Sequence, residues 1–279
     1  MRVLPKTDLK PRRSAPAPFV FESYGVRVRI AGSDQELIDL GEAVSRRSLL
    51  GNIRRSKAAK FDHDFELNGT KGGTLHLVQN GERIASGRSR KKFLKLFDSV
   101  IRVSIAECAP TRAFLHAGVV GWKGKAIILP ADSFKGKSTL VLELVRNGAE
   151  YYSDDFAIID EEGLVYPFAR PISLRTPEYR PYELTVADLG GNYGTEPIPA
   201  GLVLFTEYVP DREFSPTMIS PGRGVLEMIP FAITLRRCPE LSMKALNNVA
   251  RRAIIASGPR GTANKSVKIL LDFIDKCGY

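Results

Sequence analysis

Cysteine is scarce in this 279-residue sequence, which has only Cys108, Cys238 and Cys277, far apart and in no C-x-x-C pair. This scarcity excludes a disulfide framework and argues against a structural zinc site. No apolar run approaches the roughly 18 residues of a membrane-spanning helix, and the first residues lack the apolar core of a signal peptide. We therefore expect a cytoplasmic protein without a membrane segment.

The composition is that of a folded protein, with 43% hydrophobic and 26% charged residues. At roughly 150 residues per domain, the length suggests about two domains. The net charge of +10 is uneven: residues 1–112 contain 22 Lys and Arg against 12 Asp and Glu, whereas the rest contains 19 of each. The two parts of the chain therefore differ in electrostatics.

The positive charge of the first part is a candidate surface for an acidic polypeptide or for nucleic acid. No aromatic interleaving or recognised nucleic-acid motif accompanies the charge, so a solvated basic face is favoured over either kind of binding surface. The clusters are Arg46, Arg47, Arg54, Arg55, Lys57 and Lys60, and Arg88, Arg90, Lys91, Lys92 and Lys95.

Residue patterns divide the chain into three segments. Residues 1–18 are rich in proline and basic residues without periodicity, which predicts a flexible basic arm. Residues 19–110 predict a small, basic α+β domain with a strand over Tyr24–Ile30, a hairpin turn at Asn80-Gly81 and an amphipathic helix over Phe93–Ile105.

Residues 111–279 predict an α/β domain in which a strand, a loop, a helix and a strand follow one another. The predicted elements are strands at Val119-Val120, Ala126–Leu129 and Phe156–Ile159, and helices over Lys137–Val145 and Lys244–Ala256.

The loop Ala131–Ser138 follows an apolar strand and opens a helix, as a phosphate-binding loop does. Its backbone N–H groups would surround a phosphate, Lys137 would contact the terminal phosphates, and the Ser138 hydroxyl would bind Mg²⁺. Ala131 stands in place of the first glycine of the pattern, and a loop with an incidental Gly-Lys-Ser is the alternative. The predicted cofactors are ATP and Mg²⁺, and the predicted nucleotide-binding residues are Ala131, Asp132, Ser133, Phe134, Lys135, Gly136, Lys137, Ser138 and Thr139.

Two adjacent acids, Asp154 and Asp155, stand at the sheet edge where a nucleotide would lie. One carboxylate is suited to hold Mg²⁺ beside Ser138, and its neighbour to take a proton from an attacking hydroxyl, which is kinase chemistry. A pair of solvated turn acids is the alternative. His116 precedes an apolar strand, and a histidine in such a position more often has a structural role than a catalytic one.

These pieces resemble the catalytic part of the HPr kinase/phosphorylase family. The matching residues are His116-Ala117-Gly118, the loop 131–139, Leu142–Gly148 and Ser153-Asp154-Asp155, with two shorter similarities at Asp211-Arg212 and Ser220–Arg223. The resemblance implies a P-loop kinase domain of the HPr kinase/PEP carboxykinase type with a mixed sheet, preceded by the small α+β part.

The resemblance also implies roles for individual residues. His116 would lie by the active site, Asp154 would be the acid/base that activates a serine hydroxyl, and Asp155 with Ser138 would hold Mg²⁺. Arg212 would correspond to the family's phosphate-contacting arginine. The chain departs from the family in having Phe134 in place of a glycine and Thr139 in place of an acid, and in lacking a Glu-x-Arg-Gly-x-Gly signature.

The chain is more similar to divergent HPr-kinase-related proteins, some of which belong to peptide-modifying gene clusters and phosphorylate a serine on a precursor peptide. The sequence thus predicts an ATP-dependent kinase that acts on a serine of a protein or peptide, with Asp154, His116 and Arg212 as catalytic residues. A homo-oligomer is left open. The alternatives are a catalytically silent nucleotide-binding regulatory module, a kinase acting on a small molecule, and a nucleic-acid-binding protein in which the loop serves gating.

Overall fold

The described part of the chain contains two large mixed sheets with helices packed against them and a separate two-stranded sheet. The computed structural model describes residues 16–132, 135–175 and 181–279. Most of the predicted basic arm, and Ser133 and Phe134 of the predicted phosphate loop, lie outside the described residues. The mixed α/β class expected from the sequence is confirmed.

The first sheet has the strand order β3-β1-β2-β4-β5-β6. Its strands are β1 (Phe19–Ser23), β2 (Val26–Gly32), β3 (Arg54–Arg55), β4 (His63–Gly69), β5 (Leu75–Gln79) and β6 (Glu82–Gly87), and its helices are α1 (Gln35–Ser48) and α2 (Arg90–Cys108). The β2 and β4 strands are parallel because α1 crosses between them, and the other neighbours are antiparallel.

Two tight turns set the register of this sheet. Asn80 and Gly81 have φ angles of 52° and 85°, as a type I′ turn requires, so the predicted hairpin is confirmed. The strand predicted over Tyr24–Ile30 is wrong at its start, because Tyr24 and Gly25, with φ angles of 49° and 80°, form the turn between β1 and β2.

The α2 helix begins after Ser89, whose hydroxyl accepts a hydrogen bond from the Lys92 N–H at 3.4 Å. Its apolar stripe is buried against the first sheet, which confirms the predicted amphipathic helix. The buried residues of that stripe are Phe93, Phe97, Ile101 and Ile105.

The second sheet has the order β11-β10-β7-β8-β14-β16-β15, with β9 beside one end of β7. The strands β12 and β13 form a separate antiparallel sheet. In chain order the elements are β7 (Ala113–Trp122), β8 (Lys125–Pro130), α3 (Lys137–Arg146), β9 (Glu150–Ser153), β10 (Phe156–Ile159), β11 (Leu164–Tyr166), β12 (Ile172–Arg175), β13 (Pro181–Leu184), β14 (Ile198–Phe205), β15 (Thr217–Met218), α4 (Pro221–Met228), α5 (Pro239–Arg252), β16 (Ile254–Ser257) and α6 (Ala263–Lys276). Short 3₁₀ turns occur at Ala187–Leu189, Ile229–Phe231 and Ile233–Arg236.

Helices cover both faces of this sheet. The α3 and α6 helices share one buried apolar cluster with it, and α4 and α5 share another. The strand β7 is central: it pairs with β8 on one side, and with β9 and then β10 on the other. The predicted helix over Lys137–Val145 and strand over Phe156–Ile159 are confirmed.

One predicted helix has wrong boundaries. The segment predicted as a helix over Lys244–Ala256 starts earlier, at Pro239, and ends at Arg252. Residues Ile254 to Ser257 form β16 instead, because they pair in parallel with β14. None of the helices in the described ranges has the length and apolarity needed to cross a membrane.

The two sheets share a core. Phe114 and Phe156 of the second sheet lie in the same buried cluster as Phe97 of α2. The Thr234 hydroxyl accepts a hydrogen bond from the Phe114 N–H at 2.8 Å and donates one to the Ala106 carbonyl at 2.7 Å. This packing holds α2 against β7 and β10, so side chains of α2 reach the end of β9.

Candidate active site

A glycine with left-handed backbone geometry lies near the end of the predicted phosphate loop. Gly136 has a φ angle of 81° at the start of α3, so the loop turns directly into the helix. The Arg260 Nη2 atom donates a hydrogen bond to the Gly136 carbonyl at 2.6 Å, and a Cβ at Gly136 would lie 2.8 Å from that nitrogen. The positive, N-terminal end of the α3 dipole therefore lies at Gly136, next to the expected position of a bound phosphate.

A buried arginine braces this loop. Arg260 is 2% exposed, and no carboxylate in the described ranges pairs with it. Burial lowers its pKa, and its Nε atom has no hydrogen-bond partner among the described residues. The neighbouring Tyr208 N–H donates to the Lys135 carbonyl at 3.1 Å, so the segments around Tyr208 and Arg260 both hold the loop backbone.

Lys137 crosses the central strand at a glycine. A Cβ at Gly118 of β7 would lie 2.6 Å from Val141 Cγ2 and 3.1 Å from Lys137 Cγ. Because Gly118 has no side chain, the stem of Lys137 can lie on the strand. Its Nζ atom reaches the Nε2 atom of His116 at 3.0 Å.

His116 links Lys137 to the predicted acidic pair. Its Nδ1 atom lies 3.0 Å from the Asp155 carbonyl and donates to it, which leaves Nε2 as the acceptor for the Lys137 ammonium. Burial, followed by the nearby Lys137 charge, lowers the pKa of His116. The imidazole is therefore neutral and holds Lys137 in place.

Asp154 lies in the turn between β9 and β10. The Ser153 hydroxyl accepts hydrogen bonds from the N–H groups of Asp155 and Phe156, both at 3.1 Å, which fixes that turn. Burial raises the pKa of Asp154 to about 6, against the opposing effects of the Ser138 hydroxyl and the Lys137 charge. Its Oδ1 atom is buried without a hydrogen-bond partner in the described part of the chain.

The carboxylate of Asp155 points towards the first part of the chain. It forms an ion pair with Arg102 of α2, which also pairs with Asp98 at 3.0 Å. Asp98 binds Arg170 at 3.0 Å as well. Burial alone would raise the pKa of Asp98, but the Ser48 hydrogen bond and the Arg102 charge lower it below its usual value.

The fit of this site to Mg²⁺ depends on few side chains. Among the described residues, no group of three or more His, Cys, Asp and Glu side chains surrounds a common point. Mg²⁺ typically binds one or two carboxylates, with waters and substrate phosphates completing its shell. The Ser138 hydroxyl and the unpartnered Asp154 oxygen fit such a site, whereas Asp155 would have to exchange its arginine partner for the ion.

A cavity of about 140 Å³ adjoins the acidic pair, between α2 and the sheet formed by β12 and β13. Side chains that line it include Lys95, Ser99, Arg102, Asp154, Asp155 and Ser173. A second, open cleft of about 710 Å³ lies at the carboxyl ends of β8, β14 and β16, and Ala131, Asp132 and Lys135 border it. The loop and the acidic pair are therefore accessible to ligands of different sizes.

Two of the remaining predicted residues, Arg212 and Thr139, are exposed. Arg212 is exposed on the segment after β14. A Cβ on Gly261 would collide with its carbonyl, so its backbone borders the Arg260 segment. Its side chain has no hydrogen bond or ion pair with described residues. Thr139 is exposed in the first turn of α3. Ser220–Arg223, the other short similarity, caps and begins α4.

Arg102 and Arg260 are the functional candidates that sequence reasoning missed. In the sequence, Arg102 is only one of the many positive charges of the first part. Arg260 lies in a short Pro-Arg-Gly segment that matches no functional motif. Their importance follows from contacts with Asp155 and Gly136, which are 53 and 124 residues away in the chain.

Replacing Gly118 by alanine is expected to reduce ATP affinity by about tenfold and to lower the free energy of unfolding by about 1–3 kcal/mol, because the added methyl would displace Lys137 and Val141. Calorimetric ATP titration and chemical denaturation check this. The matched control is Gly87→Ala in β6, where a Cβ would contact nothing within 4 Å. Equal ATP affinity of the two variants would contradict the crossing of Lys137 over Gly118.

No protein-family model matches the chain, and a search of curated proteins finds no significant match.

Proposed function

We propose that this protein is an ATP-dependent kinase of the P-loop type, with an HPr kinase/PEP carboxykinase architecture, that phosphorylates a serine of a protein or peptide. One observation carries the proposal. Lys137, at the start of the helix that follows the loop, lies close to Asp154, which lines a cavity and has a buried oxygen without a hydrogen-bond partner among the described residues. A phosphate-binding cation, a base and space for an acceptor are the parts that phosphoryl transfer needs.

Nucleotide binding would use the loop and the start of α3. The backbone N–H groups of the loop and the positive helix end would bind the phosphates, and Lys137 would contact the terminal phosphate. His116 holds the Lys137 ammonium at 3.0 Å, and Arg260 fixes the Gly136 carbonyl. Mg²⁺, held by Ser138 and an aspartate, would neutralise charge on the phosphate oxygens.

The transfer step would use Asp154. The acceptor hydroxyl enters the 140 Å³ cavity and loses its proton to the Asp154 carboxylate. Its oxygen forms a bond to the γ-phosphorus as the bond between that phosphorus and the bridging oxygen of ADP breaks. A pKa of about 6 leaves Asp154 ionised at neutral pH and more basic than an exposed aspartate. Lys137 and Arg212 would stabilise the charge that develops on the phosphoryl group.

The direct test is transfer of label from γ-labelled ATP. The purified protein is incubated with Mg²⁺ and the polypeptides encoded beside its gene, and labelled residues are mapped by mass spectrometry. The proposal expects Mg²⁺-dependent label on a serine. Bound ATP with no transfer to any acceptor would instead support the silent regulatory module, for which the Asp155–Arg102 ion pair is the favouring observation. Label on a free hydroxyl metabolite would support the small-molecule alternative.

Arg102→Gln is expected to lower the Mg²⁺ concentration for half-maximal transfer by about tenfold, because Asp155 would no longer be neutralised by a guanidinium. A Mg²⁺ titration of the transfer rate measures this. An unchanged requirement would mean that Asp155 does not bind the metal and that Ser138 and Asp154 do so.

We infer a cytoplasmic protein, since all three cysteines are free thiols.

A further inference from the structure

One face of α2 leads from the protein surface into the acceptor cavity. Lys92, Lys95, Ser99 and Arg102 follow one another at intervals of three and four residues, which places them on one side of the helix. Lys95, Ser99 and Arg102 line the cavity together with Asp154, so this side faces the site. Lys91 and Lys92, in the first turn, extend the same face outwards and are exposed.

The lysines at the start of α2 are poorly placed for the helix itself. The first turn carries no acidic residue, although a helix N-terminus favours negative charge. Lys91 and Lys92 each lie within one turn of Lys95, and like charges at this spacing repel. No carboxylate of the described residues lies within ion-pairing distance of these three lysines, whereas Arg27, Arg29 and Arg90 each pair with an acid.

We propose that this lysine face of α2, formed by Lys91, Lys92 and Lys95, docks an acidic segment of the polypeptide acceptor and so guides its serine to Asp154. The inference rests on the proposed kinase function. An acidic segment would complement the helix N-terminus and the charge of these lysines, which form no ion pair among the described residues, whereas the cavity lining also includes the carboxylates of Asp98, Asp155 and Glu183. A ligand in the cavity is supported independently of the lysines by Asp154, whose buried Oδ1 atom has no hydrogen-bond partner in the described residues.

The helix geometry specifies where the acids should be. At 1.5 Å per residue, Lys95 and Lys92 lie about 10 and 15 Å along the axis from Arg102, at the inner end of the cavity. An extended peptide advances about 3.3 Å per residue. The acidic residues should therefore lie about three to five positions from the acceptor serine, on one side of it.

The test uses a serine-centred peptide library, with about six randomised positions on each side, and γ-labelled ATP. The wild-type protein should select Asp and Glu about three to five positions from serine, with kcat/KM at least about tenfold above a Gln-matched peptide. Lys91→Glu with Lys92→Glu should abolish this preference and leave ATP binding unchanged. Lys57→Glu with Lys60→Glu, which changes the charge equally on an exposed loop of the same part, should retain it.

The outcomes separate the docking face from the kinase function. Equal labelling of acidic and neutral peptides, or an acid preference that survives in Lys91→Glu/Lys92→Glu, overturns the docking face and leaves the kinase standing. Loss of the preference in both double variants also overturns it, since net charge alone would then explain selection. No label above that of Asp154→Asn on any peptide or neighbouring polypeptide overturns the proposed function and, with it, this inference.

Discussion

Replacing Asp154 by asparagine is expected to reduce phosphoryl transfer by about 10³-fold while ATP still binds. The substitution keeps the shape of the side chain and removes the base, and general-base catalysis contributes about 10²–10⁴-fold. The measurements are the rate of γ-phosphoryl transfer and a calorimetric ATP titration. Transfer at the wild-type rate would refute the role of Asp154, and loss of both ATP binding and transfer would assign it to the nucleotide site instead.

The same variant should not lose stability. Raising the pKa of a carboxyl from 3.8 to about 6 corresponds to about 3 kcal/mol of unfavourable burial of its charged form. Asparagine has no charge to bury, so the Tm of Asp154→Asn at neutral pH should equal or exceed that of the wild type. An inactive variant with a raised Tm separates a catalytic role from a structural one, because a structural carboxylate would stabilise the fold.

Replacing Lys137 by methionine is expected to weaken ATP binding by about 30- to 150-fold. Charge-assisted hydrogen bonds contribute about 2–3 kcal/mol, which corresponds to that range of affinity. Methionine keeps the unbranched stem that lies on Gly118, so packing between α3 and β7 is preserved. Burial lowers the pKa of Lys137, so the buried positive charge reduces the stability of the fold. The fold should therefore tolerate the loss of this charge.

The matched control is Lys135→Met in the same loop. Lys135 is exposed and pairs with Glu207 at the edge of the open cleft, so its loss should change ATP affinity little. Both variants lose one positive charge from the loop. If they weakened ATP binding equally, the effect would come from net charge, and the specific place of Lys137 beside His116 and Asp154 would be contradicted.

Local signals account for the elements that the sequence predicts well. The Asn80-Gly81 hairpin and the helix that begins at Lys137 depend on turn and capping residues that are adjacent in the chain. The end of α5 is different: the apolar spacing continues past Arg252, and pairing with β14 is what makes Ile254–Ser257 a strand. The α6 helix is absent from the prediction, although Val267, Leu270 and Ile274 recur at helical spacing.

The residues of the candidate site also fall into those that local motifs predict and those that only the packing reveals. Lys137, Ser138 and the two aspartates belong to short motifs, and the β7 register, with His116 opposite Phe156, brings them together. The partners of these residues come from packing between distant segments. Arg102 reaches Asp155 because α2 packs against β10, and no pattern near residue 102 indicates that contact. Charge counts located the basic surface but not which of its lysines lie beside the cavity.

The most direct test of the account is a crystal structure with Mg²⁺ and a non-hydrolysable ATP analogue. We expect the triphosphate in the loop Ala131–Ser138, the γ-phosphate in contact with Lys137 Nζ, and the Asp154 carboxylate facing the γ-phosphorus from the acceptor cavity. A nucleotide bound elsewhere, or a γ-phosphate turned away from Asp154, would contradict phosphoryl transfer at this site.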